Sequence, residues 1–288
     1  MSAVALGALA GALFGLLAVT VRLALRRGAD PEVGAVVILG VGAVVAWALA
    51  LPTLGDVEAW GALWVFFAIG ALVPGASQIL FILAVRDAGP SRAAILIGVA
   101  PLLSVALALI LLDEPFRPLL VVATVLVVAG GMTLAGERAR PAAFRGIGAV
   151  FAIGCAVLFA VRDNAVRWAA QDVEAPAVVA SAVSLLGAVA VVATYLGLAR
   201  RDRVRSSLRT AARGFWPAGV TLGLAYVCLI VAFDRGRVSI VAPLNATQSL
   251  WAIGFAVAFL RATEAIGRRT VLAGLLVVAG AVLVGIVR

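Results

Sequence analysis

From residue 93 to residue 112 the chain runs twenty residues without a charge. That is about the length an α-helix needs to cross the ~30 Å hydrocarbon core of a bilayer. Nine further stretches of the same character can be counted, at 3–25, 33–51, 61–85, 119–135, 146–166, 175–199, 214–233, 238–260 and 270–287. None alternates apolar and polar residues as the strands of a membrane barrel would. With 64% of its residues hydrophobic and 13% charged, a soluble fold would have more apolar surface than its interior could hide. The expected fold is therefore all-α and polytopic, with ten transmembrane helices. No basic residue precedes the first stretch, which reads as a retained helix and not as a signal peptide.

The stretches come in two matching sets. Ser91 falls on Ser239 at an offset of 148, while Glu114 falls on Glu264 and Gly130 on Gly280 at 150. An offset of 145 lays Phe14, Arg22 and Pro31 on Phe159, Arg167 and Pro176. A duplication explains this, with repeats at 1–143 and 144–288 and the joint at 136–145. Five spans per copy is an odd number, so the second copy enters the membrane upside down. Such inverted repeats place a substrate site at their interface near mid-membrane.

All 23 basic residues are arginine, and there is no histidine or lysine. They cluster in short loops, which favours lipid headgroups as partner and argues against nucleic acid. Loops after the odd-numbered spans hold 17 of the 23 arginines, which places those loops in the cytoplasm and both termini outside. Cys155 and Cys228 read as small apolar residues within spans. No metal-ligand set or cofactor motif is expected from these residue types.

The charges that reach deepest are Arg86–Asp87, Arg162–Asp163, Arg167 and Asp234–Arg235. Each is read as lying within a turn or two of a span end, where local ion pairs and snorkelling account for it. The sharper reading makes Arg162, Asp163 and Arg167 coupling or gating residues, with Asp163 the acid for proton or other ion coupling. Asp113 and Glu114 read as a cap on the fifth span. The substrate-binding candidates are uncharged and mid-span: Gln78, Pro101, Ser104, Tyr226, Asn245, Gln248, Ser249 and Trp251. Asn245, Gln248 and Ser249 share one helical face, which should look at protein or water. Hydrogen bonding between helices explains these residues as well as substrate does. Gly7, Gly11 and Gly15 form a small-residue stripe suited to close helix packing. Such stripes fit a monomer or a homodimer.

The stretch from Ala84 through Pro101 to Asp113–Glu114, with the Gly130–Gly131 helix end, resembles the EamA-type transporters of the drug/metabolite transporter superfamily. The second copy resembles them at Ser239, Ala242–Pro243–Leu244, Ala246–Thr247, Leu260, Glu264 and Ala279–Gly280. One departure is that the resemblance implies a proline where Ser249 stands. It also implies cytoplasmic termini, opposite to the arginine count. The function implied is a cell-membrane (inner-membrane) carrier for a small-molecule substrate, by metabolite export or import with alternating access. A cavity lined by spans 1, 3, 4, 6, 8 and 9 without buried charge suits a neutral or zwitterionic solute such as an amino acid. Two other classes make different demands on a chain. A lipid-modifying membrane enzyme needs clustered carboxylates, a metal or a nucleophile–base pair. A channel needs charged rings or a carbonyl filter.

Overall fold

The computed structural model describes residues 1–88, 93, 96–135, 146–260 and 268–287. Among these it is helical throughout, without a strand. The helices are α1 (Ala3–Arg26), α2 (Pro31–Ala50), α3 (Trp64–Gly70), α4 (Ser77–Ala88), α5 (Ala100–Leu111) and α6 (Pro118–Ala135) in the first half. The second half holds α7 (Gly146–Asp172), α8 (Ala177–Ala199), α9 (Arg201–Arg235), α10 (Val238–Ala246), α11 (Gln248–Leu260) and α12 (Arg268–Val287). Ser91, Glu264 and the joint at 136–145 lie outside the described residues.

Among the described residues, six helical segments are long and apolar enough to cross a membrane: Ala3–Arg26, Pro31–Asp56, Trp60–Phe81, Gly146–Asp172, Ala177–Ala199 and Ser206–Arg235. Ala100–Leu111, Pro118–Thr133 and Leu272–Val284 are apolar but shorter. The ninth stretch is interrupted at residue 247 and the fourth has a turn at residues 98–99, which shortens their continuous helices. Large apolar side chains including Val44, Ile110, Leu198 and Val282 stand exposed around the outside. A lipid-facing surface has that composition.

The breaks have local causes. In the third stretch Val73 leaves the helical region (φ −142°, ψ 117°) next to Pro74. Proline has no N–H to give and crowds the preceding turn. In the fourth, a turn at Gly98–Val99 precedes α5, and Pro101 sits in the first turn of α5, where proline is tolerated. In the ninth, Thr247 separates α10 from α11. Residues 98–99 fall on 246–247 at the offset of 148. The break is thus kept although Ser249 stands where the resemblance implies proline. Hydroxyls take its loosened carbonyls: Thr247 Oγ1 donates to Leu244 O at 2.7 Å and Ser249 Oγ to Ala246 O at 3.5 Å.

Neighbour relations map onto themselves when the halves are exchanged. α2 packs on α9 as α8 packs on α3, α1 on α10 and α11 as α7 on α5, and α6 on α12. At the last pair the reciprocity reaches single residues. A Cβ on Gly130 would stand 2.6 Å from Val277 Cγ2 and 2.8 Å from Ala273 O. One on Gly280 would stand 2.6 Å from Val127 Cγ2 and from Ala123 O. Both sets of partners are related by the offset of 150.

Two expectations are corrected here. The segment 200–213, read as a basic loop, is almost wholly helical: α9 begins at Arg201 and carries its arginines as a polar extension below the apolar part. Arginine, alanine and leucine are good helix formers, and nothing in the segment breaks the helix before Pro217. Glu114 does not cap the fifth span. Its carboxylate accepts from Val238 N at 2.6 Å, Ser239 N at 3.0 Å and the Ser239 hydroxyl, so it caps α10 in the other half. Asp113, at φ 48°, turns the chain back to allow this. Glu114→Ala strips three donors of a buried acceptor. We expect about 1–3 kcal/mol of destabilisation, read as a lower melting temperature in detergent. Glu114→Gln should lose less, because one amide oxygen remains.

Candidate functional site

The lengths of α7 decide where its charges lie. The sequence reading ended this span at residue 166, which put Arg162 and Asp163 near its end. The helix continues to Asp172 because Ala165, Val166, Trp168, Ala169 and Ala170 keep it apolar and well suited to a helix. Asp163 therefore lies nine residues, about 13 Å of rise, inside the helix end. Asp163 is 5% exposed and Arg162 8%. This is a buried ion pair within a span, and the expectation of a cavity without buried charge is corrected accordingly.

The pair is held from three sides. Arg162 Nε donates to Asp163 Oδ1 at 2.8 Å, and Nη2 lies 2.7 Å from the same oxygen. The Ser104 hydroxyl, on α5, donates to Asp163 Oδ2 at 2.8 Å, with Ala100 O 3.0 Å from the same oxygen. Asn164 Nδ2 donates to Ser104 O at 3.0 Å and to Ala160 O at 2.9 Å. The Phe159 ring lies 5.5 Å from the guanidinium carbon, within cation–π range. Tyr226, on α9, is within electrostatic reach of Arg162. Its hydroxyl donates to Val73 O at 3.0 Å, the carbonyl freed by the break in the third stretch. Cys155 meets Ser77 O at 3.7 Å on the same side of α7. The third, fourth, sixth and eighth stretches thus converge on one polar cluster.

Span nine lies beyond this cluster, backed by α1. The stripe of Gly7, Gly11 and Gly15 runs along the Thr247 break. A Cβ on Gly11 would stand 2.9 Å from Leu244 O and from Thr247 Oγ1, and one on Gly15 2.6 Å from Trp251 Cβ. Only glycine lets α1 approach a broken helix this closely.

The other expected residues divide. Asn245 and Ser249 are half-buried at the break, and Asn245 Oδ1 is an enclosed acceptor without a hydrogen bond among the described residues. Gln248 is exposed. Trp251 is 44% exposed and stacks on Phe255 at 5.9 Å in an outer ladder that continues to Phe259. Gln78 does not join Tyr226, its counterpart at the offset of 148. It lines a separate shallow recess with Glu32, Leu83 and Tyr195. Arg167 donates to Phe233 O at 3.1 Å and Asp234 O at 2.6 Å, so it satisfies the open carbonyls at the end of α9. Asp87 is buried, while the Arg86 side chain lies outside the described residues. Asn164 was missed by the sequence reading. Its signal was position alone, beside two charges on a helix that turned out longer.

A helical chain whose fourth and ninth stretches break at equivalent positions can be compared with known proteins. The profile of the EamA-like transporter family matches residues 1–135 and again 146–286. The chain belongs to the EamA-like transporter family. As an EamA-like protein it is a multi-pass integral membrane protein. A solved crystal structure, 22% identical in sequence, is similar over 99% of this chain and 99% of its own, with a TM-score of 0.82. At that identity the likeness speaks for the fold. No curated protein matches. Against the EamA-like background the cluster of Ser104, Arg162, Asp163, Asn164 and Tyr226 is the feature that composition alone would not produce.

Proposed function

We propose that this protein is a secondary transporter that moves a small neutral or zwitterionic metabolite by alternating access. The reading has ten spans in two inverted repeats, 1–143 and 144–288, that rock about a central site. The observation that carries it is the buried Arg162–Asp163 pair, bonded to Ser104 just inside a broken helix. Charges inside the hydrocarbon zone are costly, and they normally mark a substrate or ion path. Helix breaks at Val73, Gly98–Val99 and Thr247 leave backbone polar groups in the same zone, which is tolerated where they line protein or a cavity.

Pro101 and Ser104 bring α5 to the pair. Tyr226 ties the third stretch to the eighth, and Asn245 and Ser249 offer polar groups at the ninth. In this reading Asp163 is also the coupling acid, because its one carboxylate holds both Arg162 and Ser104. Arg167 acts as a strut for the end of α9.

The test is counterflow into proteoliposomes loaded with unlabelled amino acids, with one labelled amino acid outside and no ion gradient. Transient accumulation of label is the expected result, and an added pH gradient should change its extent in the native protein. No accumulation of amino acids, nucleosides, sugars or organic cations by folded, inserted protein would overturn the carrier reading.

A further inference from the structure

The Arg162 guanidinium is only half used. A guanidinium offers two hydrogen-bonding edges in fixed geometry, a side edge of Nε and Nη2 and an end edge of Nη1 and Nη2. Asp163 takes the side edge, and with one oxygen only. The two-oxygen fork that makes Arg–carboxylate pairs strong is not formed, because Ser104 holds the other oxygen at 2.8 Å. Nη1 makes no hydrogen bond to any described residue, yet it is not among the enclosed polar atoms without a partner. The end edge therefore borders open space, although Arg162 as a whole is 8% exposed.

The same cluster has a spare acceptor. Asn164 is 4% exposed, and both of its amide donor bonds go to carbonyls. Its Oδ1 is enclosed and has no hydrogen bond among the described residues. An unused acceptor in such a place is costly unless something completes it.

We propose that Arg162 is the carboxylate receptor of the transport site, its end edge taking both oxygens of a substrate carboxylate while Asp163 faces the substrate's ammonium group. The inference rests on the transporter reading and deepens it by naming the substrate class as a zwitterion. The paired charges favour that class, since a zwitterion can meet each with its opposite and an uncharged solute meets neither. One cation and one anion are buried together, so a zwitterion adds no net charge to the site. A simple carboxylate would leave Asp163 opposing it, and a bare cation would meet Arg162. The Phe159 ring keeps the guanidinium plane fixed.

The experiment uses the full-length protein in detergent and reads its melting temperature with alanine, leucine or phenylalanine. Each is paired with its amide, which lacks the carboxylate, and its N-acetyl form, which lacks the ammonium. At least one amino acid should raise the melting temperature while its amide and N-acetyl forms do not. Arg162→Lys keeps the charge beside Asp163 but loses the planar fork, and it should weaken that binding by roughly tenfold or more. The double variant Arg162→Gln/Asp163→Asn, which leaves no lone buried charge, should bind none of the three. Stabilisation by the amide equal to that by the amino acid would overturn the proposal. So would unchanged affinity in Arg162→Lys, or no response to any of the three amino acids. Counterflow of a solute that has no carboxylate would overturn the proposal and leave the transporter reading standing. Carboxylate-dependent binding without any counterflow would do the reverse.

Discussion

Asp163→Asn is expected to lower stability by about 3–5 kcal/mol, because it strands the Arg162 guanidinium in a site that is almost closed to water. The substitution keeps the volume and the Ser104 contact and removes only the charge. At a surface site such a change would cost about 0–1 kcal/mol, so the size of the loss reports where the pair sits. The melting temperature of purified protein is the measurement. Removing both charges in Arg162→Gln/Asp163→Asn should recover most of the loss, since a buried pair as a whole contributes little net stability against its own desolvation. Transport by the double variant should nonetheless be absent. Stability and activity would then part company, as expected of residues kept for function. A melting temperature for Asp163→Asn equal to that of the native protein would mean that the pair is solvated, and the site assignment would lose its basis.

The ion pair also marks what sequence reading could and could not reach. Helix class and the repeat plan are written in apolar run length and in the offsets of Ser91, Glu114 and Gly130. These are local patterns, and the matched family profile covers both halves. The depth of Asp163 was not legible, because it depends on where α7 stops. Arg167, Gln171 and Asp172 read as the end of a span, although the alanines, Val166 and Trp168 among them carry the helix on. The partner of Glu114 was also hidden. Its sequence neighbours suggested the fifth span, but its donors, Val238 and Ser239, are more than a hundred residues away. Ser104 stands out in the sequence only as an uncharged mid-span residue, and its bond to Asp163 needs the packing of α5 on α7. Gln78 and Tyr226 are equivalent by offset and differ in surroundings. A duplication preserves position, and each copy is then free to place its polar groups in its own way.

Gly70→Ala should be the most damaging single methyl among the described glycines. A Cβ there would overlap the Ser184 carbonyl, and in the neighbouring contact a Cβ on Gly187 would overlap the Phe67 carbonyl and lie 2.9 Å from Ala71 N. These are backbone atoms of α3, the following turn and α8, so no flexible side chain can swing aside. Overpacking in a core ordinarily costs about 1–3 kcal/mol through side-chain shifts. Here two helix backbones must separate, and we expect about 3 kcal/mol or more. Gly40, in α2, has nothing within 4 Å of its Cβ position. Gly40→Ala should be neutral or stabilising by up to about 1 kcal/mol, as expected in a helix interior. Melting temperatures of the two variants measure the contrast, and equal values would show that the α3–α8 contact is not close-packed. The consequence reaches the site as well. Gly70 lies three residues before Val73, whose carbonyl accepts the Tyr226 hydroxyl at 3.0 Å. Moving α3 away from α8 draws that acceptor off Tyr226. Any Gly70→Ala protein that still folds at low temperature should therefore transport less than Gly40→Ala protein at equal amounts inserted.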